Sequence, residues 1–433
     1  MPDWLSLPML REEITQRKEE GCWVDDVEAR VAARGAQSSA DDLLSFWAEV
    51  EGRAPTDYFP YREPSDLESI RCERPTGPRQ LALSLGRDDL KDRVLGAWLG
   101  RAAGCLLGKP VEGWHRSRIR KVLEHAGEYP LGDYFPYLEN PPADADYRAR
   151  PRDWFRGAID HMVRDDDMDY PVLGLKLLER RGRDFTSDDV AANWLTSLPY
   201  MLVYTAERVA YRNLVDGLKP PASAWHRNPY REWIGAQIRA DIWGYVAPGS
   251  PELAAEYAFR DAAVSHVKNG IYGEMLFAAM IAASFATDDV EEIIRIGLSE
   301  IPAKCRLADA VRNTVSWCRE DAGDWEKTLD RIHAEYGHYH GVHTINNAAL
   351  IIMGLLYSGL ELEPAICLTV MGGWDTDCTG ATAGSIVGAI RGAKALPAKW
   401  VGPLGDRLES IVIGYTENSF ADLAERTLKA AGR

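Results

Sequence analysis

No CxxC pair occurs in this chain, and its seven cysteines (22, 72, 105, 305, 318, 367 and 378) are scattered and odd in number. That excludes a disulfide framework and a zinc-finger spacing, and leaves reduced thiols as the expectation. Basic residues are in the minority: 50 Lys and Arg stand against 66 Asp and Glu, for a formal charge of −16. A nucleic-acid surface is basic, so no nucleic acid is expected as the main partner. No charge-free apolar run reaches about 18 residues, which excludes a membrane-spanning helix. The opening stretch MPDWLSLPMLREEITQRKEE has no basic-then-apolar signal pattern, so a cytoplasmic location is expected. Strand-like alternation is scarce throughout.

What is present is helical periodicity. The 433 residues exceed one ordinary core. Residues 1–90 read as a helical N-terminal extension. In it SSADDLLSFWAEVEG (38–52) has a cap-like start and an apolar stripe at Leu43, Leu44, Trp47 and Val50. From 91 to 433 nearly every periodic segment is helical, including 91–108, 168–180, 188–211, 273–285, 345–358, 379–393 and 405–430. The fold class expected is all-α, a compact multi-helix domain behind a helical extension. One long irregular stretch, 126–157, is rich in Pro, Tyr and Asp; a loop of that length in a compact domain is usually functional or loosely ordered. The pentapeptide DYFPY occurs at 57–61 and 133–137, and two copies read as aromatic loops that pack.

Two segments stand out. GAWLGRAAGCLLGKPVEGW places glycines at 96, 100, 104 and 108, and GGWDTDCTGATAGSIVGAIRG places them at 380, 384, 388 and 392. Every fourth residue lies on one helix face. Each glycine costs about 1 kcal/mol of helix stability relative to Ala, so close backbone approach between buried helices is the expected compensation. Each segment carries acid at one end, Glu112 after the first and Asp375 with Asp377 at the start of the second. A lone acid there reads as a cap. Two at a buried mouth need more, because unpaired buried charge is expensive.

A second acidic cluster is HMVRDDDMDYPVLG, with Asp165, Asp166, Asp167 and Asp169 before an apolar helix. SADDLL, TSDDVA and ATDDVEE show that the chain also uses plain N-caps with acidic first turns, and Asp188 and Asp288 belong to that kind. If 165–167 and 375–377 converge, several carboxylates without His or Cys favour a hard cation such as Mg²⁺ or Mn²⁺. Two such ions activate a water and grip vicinal oxygens.

Three of these stretches, in order, resemble the ADP-ribosylglycohydrolase family, which includes the dinitrogenase reductase-activating glycohydrolases. DRVLGAWLGRAAGCLLGKPVEGW is similar to its N-terminal helix, with Glu112 at the acidic ligand's position. DDDMDY is similar to its Thr/Ser-Asp-Asp-Thr stretch, and GWDTDCTGATAGSIVGAIRGAKALPAKW to its closing Gly-Asp-Thr-Asp-Thr segment. RDAAVSHVKNGIYGEMLFAAMIAASF (260–285) resembles its central Thr/Ser-His segment. The resemblance spans about 91–430 and implies an all-α hydrolase of ribosyl glycosidic bonds with two Mg²⁺ ions. It implies as metal ligands Glu112, Asp165, Asp166, Asp167, Asp375, Asp377 and position 378. The chain departs from the pattern in Asp165 for a hydroxyl residue, Met168 for Thr, Cys378 for Thr or Ser, Cys105 for Asp and Trp374 for Gly.

The expectation is therefore a Mg²⁺-dependent glycosidase, with Mn²⁺ as the alternative ion. Glu112, Asp166 and Asp377 are its expected catalytic residues. A substrate contact is expected from Trp374 and from His266, Asn269, Gly270 and Gly273, whose helix start would cradle a diphosphate. Cys378 offers soft sulfur to an oxygen-preferring ion, so a neutral thiol with a water in its place is expected. The substrate is expected to be a small-molecule or protein-linked ADP-ribosyl conjugate. The alternatives are an N-glycosidase for a nucleoside-like metabolite and a non-catalytic ligand-binding relative.

Overall fold

The two glycine-spaced segments fold as the helices Arg87–Gly108 and Thr376–Arg391, in a computed structural model that describes residues 5–432. They run antiparallel and meet backbone to backbone. Gly96 faces Gly388, Gly100 faces Gly384, Gly104 faces Gly380, and Gly108 faces Thr376. A Cβ on Gly104 would lie 1.9 Å from the Gly380 carbonyl oxygen, and one on Gly100 2.1 Å from that of Gly384. No other residue fits there, which is the compensation that the cost of helical glycine required. The pairing has a positional consequence: the C-terminal end of the first helix lies against the N-terminal end of the second. Glu112 and Asp375 are thereby delivered to the same end of the helix pair.

The fold is all-α. The long helix Lys268–Ser284 is buried at every residue from Asn269 onward. Among the described residues the one sheet is the pair Leu408–Glu409 with Glu417–Asn418. Two expected helices differ. The expected 188–211 helix is two, Ser187–Ser197 and Thr205–Val215, because Pro199 and a turn at Tyr200–Leu202 intervene. Of 405–430 only Phe420–Ala430 is helical. The earlier part pairs its backbone with the strand-like approach to the acidic cluster. Met162 N donates to Arg407 O at 2.9 Å, and Glu409 N donates to Met162 O at 3.0 Å. Tertiary pairing there overrides local helical periodicity.

The first residues form the helices Leu7–Glu19, Asp25–Arg34 and Ala40–Glu51. Leu10, Ile14, Val27, Val31, Leu43, Trp47 and Val50 close a small core of their own. Ser39 and Asp42 make a reciprocal capping box at the third helix. This unit docks on the larger body through buried charge. Arg231 binds Glu13 at 2.6 Å and Glu20 at 2.8 Å, and Gln16 donates to Glu232 at 2.8 Å. Arg306 binds Glu63 and Glu232, each at 2.7 Å. Buried ions tolerate desolvation only when paired, and here each ion has its partner. All seven cysteines are free. The two DYFPY copies differ: Tyr134 and Phe135 are buried, whereas Tyr58 is exposed.

Candidate active site

The acid run opens the helix Asp166–Arg181, with Asp165 as its N-cap. One oxygen of Asp165 accepts the Asp167 N–H at 2.9 Å, so capping describes half of this side chain's work. Its other oxygen takes the ammonium of Lys109. Arg101, inside the first glycine helix, reaches the Asp167 carbonyl at 2.6 Å, the Asp167 carboxylate at 3.3 Å and Asp241 at 2.6 Å. These contacts bolt the acid run onto the glycine pair. Glu112 follows a short turn, Lys109–Val111. Asp375 occupies the N-cap position of the second glycine helix yet makes no capping bond with its side chain. Its N–H instead donates to Asn347 Oδ1 at 3.2 Å.

The acids converge although 210 positions separate Asp165 from Asp375. One oxygen from each of Glu112, Asp375 and Asp377 lies within 4.8 Å of the others. The same holds for Asp165, Asp167 and Asp377, so Asp377 belongs to both sets. They form the floor of a cavity of about 590 Å³. Trp154, Tyr170, Tyr204 and Trp233 supply aromatic walls, and Arg150 and Arg164 add positive charge. Asp166 also lines it. Donors that are all carboxylate oxygen suit a hard divalent cation. A second observation fits that reading: Asp377 Oδ1 is buried and has no hydrogen-bond partner. A buried anion without a partner is costly and calls for a cation.

Charge crowding shows in the acids themselves. Burial, then the neighbouring Glu112 carboxylate, pushes Asp375 up to about 8. Glu112 rises to about 7 through burial and then Asp165 and Asp166, although it is the solvent-facing member at the cavity wall. Asp166 rises to about 6 for the same two reasons, burial and Asp165. Asp377 and Asp167 are driven well above the ordinary range, burial being the main cause. Asp165 alone is held low: burial opposes its charge, but the Lys109 ammonium outweighs it. Cys378 and Cys105 are fully buried beside these acids and stay neutral thiols, because burial and the acids both oppose a thiolate. The Cys378 sulfur joins neither converging set.

The remaining sequence candidates lie elsewhere. Trp374 does not line the cavity. Its ring stacks on His333 at 4.1 Å, its N–H donates to Trp114 O at 2.8 Å, and its carbonyl accepts from Gly113 N at 2.9 Å. It holds the segment just after Glu112 in place. His266, Asn269, Gly270 and Gly273, expected to contact substrate, do not line this cavity either. His266 is buried against Ser265 Oγ at 2.8 Å, and burial keeps its ring neutral. Asn269 donates to Glu232 at 2.8 Å and accepts from Leu307 N at 3.0 Å. A Cβ on Gly270 would lie 2.5 Å from Arg231 O, and one on Gly273 2.4 Å from Thr344 Oγ1. These glycines serve packing, and Ser65 Oγ covers the helix start by accepting the Lys268 N–H at 3.1 Å.

Sequence reasoning missed Lys109, Arg101 and the aromatic walls. Lys109 had a signal in GKPVEGW, a lysine three residues before the candidate acid. The irregular 126–157 stretch does carry Arg150 and Trp154 to the cavity.

A sequence model of the ADP-ribosylglycohydrolases matches residues 86–432. The chain belongs to the ADP-ribosylglycohydrolase family. A search of curated protein sequences found no match. A solved structure described as an ADP-ribosylglycohydrolase-related protein complex shares the fold, with a TM-score of 0.51 and 20% identity over 80% of this chain and 99% of that one. Membership in the ADP-ribosylglycohydrolases supports a glycohydrolase activity, and among the described residues no helix is long and apolar enough to cross a membrane.

Proposed function

We propose that this ADP-ribosylglycohydrolase family member hydrolyses a ribosyl glycosidic bond in an ADP-ribosyl conjugate, with the help of Mg²⁺. The observation that carries the reading is the meeting of Glu112, Asp375 and Asp377 around a buried, partnerless Asp377 oxygen. Glu112, Asp375 and Asp377 would hold the ion, with Mn²⁺ as a substitute. When bound, the ion supplies Lewis acidity to a water and to ribose hydroxyls. The chain's own groups do the rest. Asp166 presents a carboxylate to the same cavity, placed to bind and orient ribose hydroxyls. Glu112 lines the cavity where it either holds the ion or accepts the proton of the attacking water. Trp154 and Trp233 give flat apolar walls that exclude water and stack a planar group. Arg150 and Arg164 offset the acids and receive anionic oxygens of the substrate. Free thiols throughout fit a reducing compartment such as the cytoplasm.

The test is turnover of ADP-ribosyl-arginine, ADP-ribosyl-serine, NAD and simple nucleosides, each with and without Mg²⁺. Mg²⁺-dependent release of ADP-ribose from a conjugate is expected. Turnover confined to nucleosides would replace the conjugate with a nucleoside-like metabolite. Binding of ADP-ribose without turnover of any compound would remove the enzymatic reading.

A further inference from the structure

The two converging acid sets differ in what already neutralises them. Among the described residues, no Lys, Arg or His makes an ion pair with Glu112, Asp375 or Asp377. That set has no cation of its own, and one of its oxygens, Asp377 Oδ1, has no hydrogen-bond partner. The Asp165–Asp167 side is furnished. Lys109 Nζ sits on Asp165, and Arg101 touches the Asp167 carboxylate at 3.3 Å while it also binds Asp241. Both oxygens of Asp165 are engaged, one by Lys109 and one by the Asp167 N–H. Two fixed cations, Lys109 and Arg101, thus stand against Asp165, Asp167 and Asp241 before any metal arrives, and only Asp377 of that acid set lacks one.

Lys109 is no incidental surface lysine. It is only 7% exposed. The Trp154 ring lies 4.6 Å from its ammonium, which is thus held between an aromatic face and a carboxylate. It leaves the first glycine helix at the point where Gly108 is pressed on Thr376, so its backbone has no room to move away. A divalent ion placed among Asp165, Asp167 and Asp377 would stand beside this ammonium and repel it.

We infer that the Lys109 ammonium holds the place of a second metal ion, so that each chain binds one divalent ion, on Glu112, Asp375 and Asp377. The inference rests on the metal reading proposed above and narrows its expected two ions to one. Asp165 and Lys109 act together: the acid that stands where the family resemblance puts a hydroxyl residue is matched by a built-in cation. The chain thereby keeps a fixed positive charge on that side of the cavity whatever the metal concentration.

The experiment counts Mn²⁺ bound per chain. Full-length protein stripped with EDTA is titrated with Mn²⁺, and free Mn²⁺ is read by electron paramagnetic resonance. One ion per wild-type chain is expected, and a second, weaker one in Lys109→Met. In Asp375→Asn the single ion should bind about 100-fold more weakly. Two ions in the wild type would overturn the inference and leave the metal reading standing. No bound ion in the wild type would overturn both. Should Lys109→Met not fold, as judged by circular dichroism, the wild-type count decides alone. A folded Lys109→Met that still binds one ion would overturn the role given to the ammonium.

Discussion

Asp377 and Asp289 show how differently two acids at helix starts behave. Asp289 caps the helix Val290–Leu298 by accepting the Glu292 N–H at 3.2 Å. The sequence pattern pointed one residue earlier, to Asp288, whereas Asp188 does lie in the acidic first turn of the helix that Thr186 caps. Asp289→Ala should cost about 1 kcal/mol in a urea melt and leave metal affinity unchanged. Asp377→Asn should do the reverse. It removes an acid whose ionisation burial and the neighbouring carboxylates oppose, so the metal-free protein should melt higher, while Mn²⁺ affinity should fall about 100-fold. A metal-free Tm that drops in Asp377→Asn would contradict the crowding. The same acids set a pH dependence. Asp375 is raised to about 8 and Glu112 to about 7 when folded. Unfolded, both titrate near 4. Between those limits the folded chain holds more protons than the unfolded one, so the metal-free form loses stability as pH rises from about 4 to 8. A bound cation favours the charged acids and opposes that loss. The rise in Tm on adding Mg²⁺ should therefore be larger at pH 8 than at pH 5.5. Equal rises, measured by scanning calorimetry, would argue against ion binding at these carboxylates.

At the scale of elements, the antiparallel glycine pair decides where the chemistry sits. Ala favours a helix over Gly by about 1 kcal/mol, so helix propensity alone predicts that Gly100→Ala stabilises. The structure predicts the opposite, because the new methyl would lie 2.1 Å from the Gly384 carbonyl oxygen. Backbone cannot yield as a side chain does. Gly100→Ala should lose about 3 kcal/mol or more, at the high end for overpacking. Its Mn²⁺ affinity should fall as well, since prising the helices apart separates Glu112 from Asp375. A Gly100→Ala protein of wild-type or greater stability would show that the contact is looser than drawn.

Over the whole molecule, the N-terminal unit is bound by charge as well as by shape. Removing residues 1–53 takes Glu13 and Glu20 from Arg231 and Gln16 from Glu232. Losing one partner of a buried pair typically costs about 3–5 kcal/mol, less where water then enters. Chains beginning at residue 54 should unfold at clearly lower urea than the full chain. They should still count one Mn²⁺ when folded, because no described residue of 1–53 lines the acidic cavity. Undiminished stability of the shortened chain would mark the unit as a loose appendage.

Much of the architecture was legible in the chain itself. Glycine every fourth residue means a helix with one bare face, and two such faces in runs too short and too charged to span a membrane have one economical use, which is each other. Helical periodicity marked most elements, and runs of adjacent acids marked the residues that line the cavity, because both signals are local. The cap expected at Asp288 falls on Asp289, and the 405–430 segment failed because local patterns compete with hydrogen bonds from elsewhere in the fold, as at Met162. The site's inner organisation was decided only by tertiary structure. Which acids share an oxygen cage, that Lys109 turns inward onto Asp165, and that Asn269 serves a buried ion network instead of the cavity all depend on contacts between distant segments. A lysine or an asparagine carries the same formal charge and the same donors in any sequence. What it does is set by the groups that folding brings within about 3 Å of it.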